Sequence, residues 1–160
     1  MQKMGNKSNI ASALHIAVEE TADVKGRFET GLQALRKADR YKIVVSDTRK
    51  LTGSVDIDSS TKDKYPEANR WDYAIEYGGE TFFVEVHPGS TGEVKTVIAK
   101  LDWLKQWLKN AAPAIDALKS KNKSAYHWVY TKDSAILPNS KYAKMLSING
   151  LGLPKKQLTL

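Results

Sequence analysis

The chain has 160 residues, 41% hydrophobic and 27% charged, a composition that fits one globular domain spanning 1–160 rather than a disordered chain. It has no Cys, which rules out disulfides and thiolate metal sites and suits a reducing, cytoplasmic compartment. Its 25 Lys and Arg against 18 Asp and Glu give a formal charge of +7, which favours a polyanionic partner, nucleic acid foremost. No apolar run approaches the ~20 residues of a membrane span, so no membrane partner is expected. Met1–Asn6 carries a positive charge with no hydrophobic segment behind it, so no secretory leader is expected either.

Residues 8–22 place Ile10, Ala13, Leu14, Ala17 and Val18 on one helical stripe, with Ser8 as the expected N-cap. Phe28, Leu32 and Leu35 give 25–38 a second helical spacing, and 41–45 reads either as a short strand or as the end of an extended helix. Strand patterns follow. Residues 54–58 alternate with period two, 59–69 form a polar loop with Pro66 and Asn69, and 71–77 and 81–87 are strands joined at Gly78-Gly79, a hairpin turn signal.

The clearest helix runs over 93–110, with Val94, Val97, Ile98, Leu101, Leu104 and Leu108 on one face and Trp103 and Trp107 pointing to another side. Pro113 breaks it or starts a short helix reaching Leu118. Residues 126–130 read as a buried strand, 139–147 as a last short helix and 157–160 as an edge strand. This order predicts an α/β domain with a mixed central sheet flanked by helices.

Chemistry concentrates in the hairpin. Asp72 lies six positions before Gly78 and Glu85 six after Gly79, so antiparallel pairing sets their carboxylates side by side. A hard cation such as Mg²⁺ or Mn²⁺ takes one or two carboxylates plus waters and substrate phosphate. Two adjacent carboxylates are costly without such a cation. His87 shares a face with Glu85 and is placed to position or deprotonate a metal-bound water.

Helix, strand, a strand bearing Asp72 in Arg70-Trp71-Asp72, a strand bearing Glu85-Val86-His87, helix and strand together resemble the PD-(D/E)xK superfamily of restriction-endonuclease-like nucleases, over roughly residues 25–132. The resemblance implies that Asp72 and Glu85 bind Mg²⁺ or Mn²⁺ and that a lysine stabilises or activates the nucleophile. His87 stands at the lysine position and no Pro precedes Asp72. The resemblance allows the lysine to come from the following helix, with Lys100 preferred over Lys95; Asp56 and Glu29 are further candidate ligands.

Arg70, Lys95, Lys121 and Lys123 are the candidate nucleic-acid contacts. Trp103 and Trp107 are read as packing ahead of base stacking, and His15 and His127 have no ligand spacing. The expected function is a metal-dependent endonuclease acting on DNA, with RNA as a further substrate class and a homodimer as a further state. Two alternatives stand beside it. One is a nucleic-acid-binding or regulatory protein of the same fold that has lost cleavage. The other is a partner-binding module of a toxin or defence system that uses the Trp face.

Overall fold

A computed structural model describes residues 12–160. Its centre is a five-stranded mixed sheet in the order β1 (Glu29–Thr30), β3 (Leu51–Asp56), β4 (Tyr73–Tyr77), β5 (Glu80–Val86) and β6 (Tyr126–Val129). The first three pairings are antiparallel and β5–β6 is parallel. A parallel neighbour needs a crossover, and the 17-residue helix α4 (Val94–Asn110) supplies it. β2 (Ile43–Val44) and β7 (Leu158–Thr159) form a separate parallel pair. None of the helices among the described residues is long and apolar enough to cross a membrane.

Strand alternation sorts side chains onto two layers. Val55, Ala74, Phe83 and Trp128 face α1 (Ala13–Glu19), α4, α5 (Pro113–Asp116) and α6 (Lys141–Ile148). Tyr73, Ile75, Val84 and Val129 face the smaller layer made by Leu35, Ile43 and Leu158. Asp72 and Glu85 have the parity of Ala74 and Phe83, so both belong to the helical layer.

The hairpin forms as expected. Gly78 and Gly79 have φ of 61° and 82°, the paired left-handed values of a two-residue turn. Residues 41–45 resolve as strand β2. Helix α1 begins at Ala13, with Ser12 accepting from His15 N–H at 3.0 Å as N-cap; Ser8 and Ile10 lie outside the described residues. Buried Glu76 on β4 holds that helix end, accepting from Leu14 N–H at 3.1 Å, Thr52 Oγ1 at 2.6 Å and the Ser12 hydroxyl.

Three expectations are corrected. Residues 25–38 are not a helix: the left-handed Gly26 and Gly31 break the backbone, leaving strand β1 and the one-turn α2 (Lys37–Arg40). Strand β3 ends at Asp56, and the polar stretch after it begins with a short helix, α3 (Ile57–Thr61), N-capped by Asp56 through Ser59 N–H at 2.9 Å. Trp107 does not point away from the core. It is buried, stacks with Trp103 at 5.8 Å between ring centroids, and donates through Nε1 to Asp23 at 3.0 Å.

Candidate active site

The start of β4 and the end of β5 lie side by side near the N-terminal half of α4, with Asp72 just before β4 and Glu85 as the last helix-facing residue of β5. The Asp72 backbone is fixed from the α3 side, where its carbonyl accepts from Ile57 N–H at 2.8 Å. The two carboxylates are cross-wired to the opposite backbones. Asp72 N–H donates to Glu85 Oε1 at 3.0 Å, and Val86 N–H donates to Asp72 Oδ2 at 3.0 Å. One oxygen of each group is thus spent on positioning the other's strand. Among the described residues, Asp72 Oδ1 accepts no hydrogen bond.

Lys100 enters from α4. Its Nζ lies 2.7 Å from Glu85 Oε2 and donates to the Arg70 carbonyl at 3.3 Å. Glu85 Oε2 is fully buried and has no partner of good hydrogen-bond geometry, so the Lys100 contact is held by charge. His87 Nδ1 is 3.6 Å from the same oxygen, beyond hydrogen-bond range, and its Nε2 is 2.6 Å from Glu93 Oε1. Trp128 Nε1 fixes the His87 carbonyl at 3.0 Å.

The charges respond to one another. Burial first, and the neighbouring Glu85 second, push the Asp72 carboxyl up to about 7. The attraction of Glu85 raises the His87 imidazole above its ordinary value against the opposing effect of burial. Burial works against the Lys100 ammonium, but Glu85 outweighs it and the group is held above its usual range.

Asp72 Oδ1 and Glu85 Oε2 are the oxygens of the pair not taken up by backbone hydrogen bonds, and the Lys100 ammonium stands against the second of them. A divalent cation of the Mg²⁺ type keeps several waters and uses one or two carboxylates, and Asp72 Oδ1 with Glu85 Oε2 provides two. Among the described residues no three His, Asp or Glu side chains are spaced to hold an ion, so the protein would form only part of the coordination shell.

Sequence reasoning placed Asp72, Glu85, His87 and Lys100, and the fold brings these four together. The other candidates stand elsewhere. Arg70 is spent internally, donating to Asp58 Oδ1 at 2.8 Å and to the Tyr65 carbonyl at 2.7 Å. Lys95 is exposed on the first turn of α4. Lys121 and Lys123 are exposed in the loop after Lys119, which bridges Thr81 at the start of β5, about 13 Å along the strand from Glu85. Asp56 pairs with Tyr73 and so has the parity of the opposite face, and Glu29 is exposed on the edge strand.

Asp58, Arg36 and Glu93 went unnoticed in the sequence. Asp58 links Arg70 to Arg36, whose guanidinium lies 3.8 Å away, and Glu93 closes over His87. Only the tertiary fold joins them, though Glu93 at the N-cap of α4 is a position where an acid is favoured. Comparison with protein-family models, with curated proteins and with solved structures finds no match to this chain.

Proposed function

We propose that this chain is a metal-dependent nuclease that hydrolyses DNA phosphodiester bonds in the manner of the restriction-endonuclease-like fold. The observation that carries the reading is the pairing of Asp72 with Glu85 across the hairpin, with the Lys100 ammonium 2.7 Å from Glu85 Oε2. Asp72 Oδ1 and Glu85 Oε2 would hold Mg²⁺ or Mn²⁺. When bound, such an ion lowers the pKa of a water and stabilises charge on the phosphate. Lys100 takes the role of the motif lysine from the helix, holding positive charge beside the scissile group. His87, kept in place by Glu93, holds a proton at the rim of the site. A basic, Cys-free chain fits DNA as partner and the cytoplasm as compartment.

The test is calorimetry with Mn²⁺, followed by incubation with plasmid DNA and with RNA. Wild type binds Mn²⁺ and cuts DNA; Asp72→Asn and Glu85→Gln lose both; Lys100→Met keeps metal binding and loses cleavage. A wild type that binds no Mn²⁺ refutes the reading. The complete burial of Glu85 and its neutralisation by Lys100 favour a second reading, a nucleic-acid-binding protein of this fold without cleavage. Mn²⁺ binding with no cut product from either nucleic acid would select it, and His87→Lys would then be expected to gain cleavage.

A further inference from the structure

At the other end of the sheet from Asp72 and Glu85, a cleft of about 530 Å³ opens between the last turns of α4, the segment after α5, the start of β6 and Gly150 beyond α6. The volume is within the range of pockets that take nucleotide-sized ligands. Three ammonium groups line it, Lys105, Lys109 and Lys119, against the single carboxylate of Asp116. We propose that this cleft is a second, separate anion site that binds the phosphate groups of a nucleic-acid backbone. The proposal rests on the nucleic-acid reading above only for the identity of the phosphate's carrier.

The arrangement of the lysines carries the inference. Lys105 and Lys109 are four residues apart on one edge of α4, so their like charges repel and cost the helix a few tenths of a kcal/mol. No acid lies between them to offset this. Lys119 is paired to Asp116 at 3.1 Å, and Lys105 donates to the Asn149 carbonyl at 3.1 Å, with its Nζ 5.3 Å above the Tyr126 ring. Both are thereby aimed into the cleft. Lys109 makes no ion pair among the described residues.

The floor is polar and fixed. Ser120 is buried and its hydroxyl donates to Glu80 at 2.6 Å, while Tyr126 stacks on Phe83 at 5.7 Å. Burial holds the Tyr126 phenol above its ordinary value, so at neutral pH it presents an O–H donor and no second negative charge. An anion entering here meets three cations, one of them paired to Asp116, and a donor. The exposed Lys121 and Lys123, two of the sequence candidates, lie in the loop that follows Ser120, where the Lys123 N–H donates to the Ser120 hydroxyl at 3.3 Å.

The site lies on the opposite flank of α4 from Lys100, so it is read independently of metal binding. A labelled 20-base-pair duplex is titrated by anisotropy across a salt series, with Lys105→Ala/Lys109→Ala compared with Lys25→Ala/Lys62→Ala, which removes the same charge from exposed positions elsewhere. The cleft variant should bind at least about tenfold more weakly than the control, with the salt slope reduced by about 2. In parallel, pyrophosphate and the duplex are each added to ¹⁵N-labelled protein while the amides of Lys109, Tyr126 and Gly150 are followed. Shifts with both ligands, lost in the cleft variant, support the proposal. Shifts with pyrophosphate alone support a phosphate site but overturn the nucleic-acid carrier. Equal duplex affinity in the two variants overturns the nucleic-acid carrier, and still amides with both ligands overturn the site. Because Mn²⁺ binding by Asp72 and Glu85 is measured separately, loss of either reading leaves the other standing.

Discussion

Asp72 gives the domain one pH-dependent contribution to its stability. Its carboxyl, pushed up to about 7 by burial and by Glu85, keeps a proton in the native state that the unfolded chain releases near pH 4. Its contribution to stability is therefore full below about pH 4 and is lost as pH rises through about 7. Asp72→Asn retains an acceptor for Val86 N–H and removes that dependence. Urea unfolding should find the variant close to wild type at pH 4 and more stable by about 1–2 kcal/mol at pH 8. Parallel pH profiles of the two proteins would show that Asp72 is not the titrating group. Lys100 is the complementary case. Lys100→Met leaves Glu85 buried without its cation and should cost about 3 kcal/mol, whereas Lys100→Met/Glu85→Gln should recover part of that loss. Denaturant midpoints of wild type and both variants check this, and a Lys100→Met midpoint equal to that of wild type would mean the ion pair is energetically idle.

At the scale of elements, the hairpin shows what the sequence could say. Period-two alternation on both sides of Gly78-Gly79 fixed the register, and register set Asp72 against Glu85. α4 was legible because six apolar residues kept a 3.6-residue period over 17 positions. Residues 25–38 were misread because Phe28, Leu32 and Leu35 have helical spacing while belonging to an irregular segment; Phe28 packs on the larger core and Leu35 lies in the smaller one. Gly26 and Gly31 were the available signal, since two glycines at such an interval argue against a continuous helix. Lys100 could be suspected from its position flanking the apolar face, but its reach to Glu85 depends on how α4 crosses the sheet. That crossing is set by long-range packing and is invisible in local pattern.

Two substitutions test these elements. No atom lies within 4 Å of a Cβ built on Gly78 or Gly79, so any cost there is backbone strain alone. Gly79→Ala should lose about 1 kcal/mol in thermal or urea unfolding, while Gly78→Asn, a favoured residue at that turn position, should stay within about 0.5 kcal/mol of wild type. Gly53 is the contrasting case, because a Cβ there would overlap the Phe28 ring and come within 2.9 Å of the Glu29 carbonyl oxygen. Gly53→Ala should cost about 1–3 kcal/mol by forcing β1 away from β3. A Gly53→Ala variant as stable as wild type would show that Phe28 can move aside freely.

For the whole molecule, the two hydrophobic layers are closed by different parts of the chain. The helical layer joins α1 near the start of the described chain to α5 and α6, and the smaller layer needs β7 to return to β2, with Ile43 beside Leu158 and the Leu160 N–H donating to the Val44 carbonyl at 2.7 Å. Leu158 is buried, so Leu158→Ala should lower stability by about 2–3 kcal/mol. Most of the chain must already be in place before those two short strands can meet, because closing so long a loop gains little until the rest is ordered. Folding kinetics should therefore record the β2–β7 closure late. In stopped-flow experiments Leu158→Ala is expected to speed unfolding several-fold and leave the refolding rate nearly unchanged, a φ-value near zero, whereas Val84→Ala in the central hairpin should slow refolding. A refolding rate that falls with Leu158→Ala would instead place this last pairing in the folding nucleus.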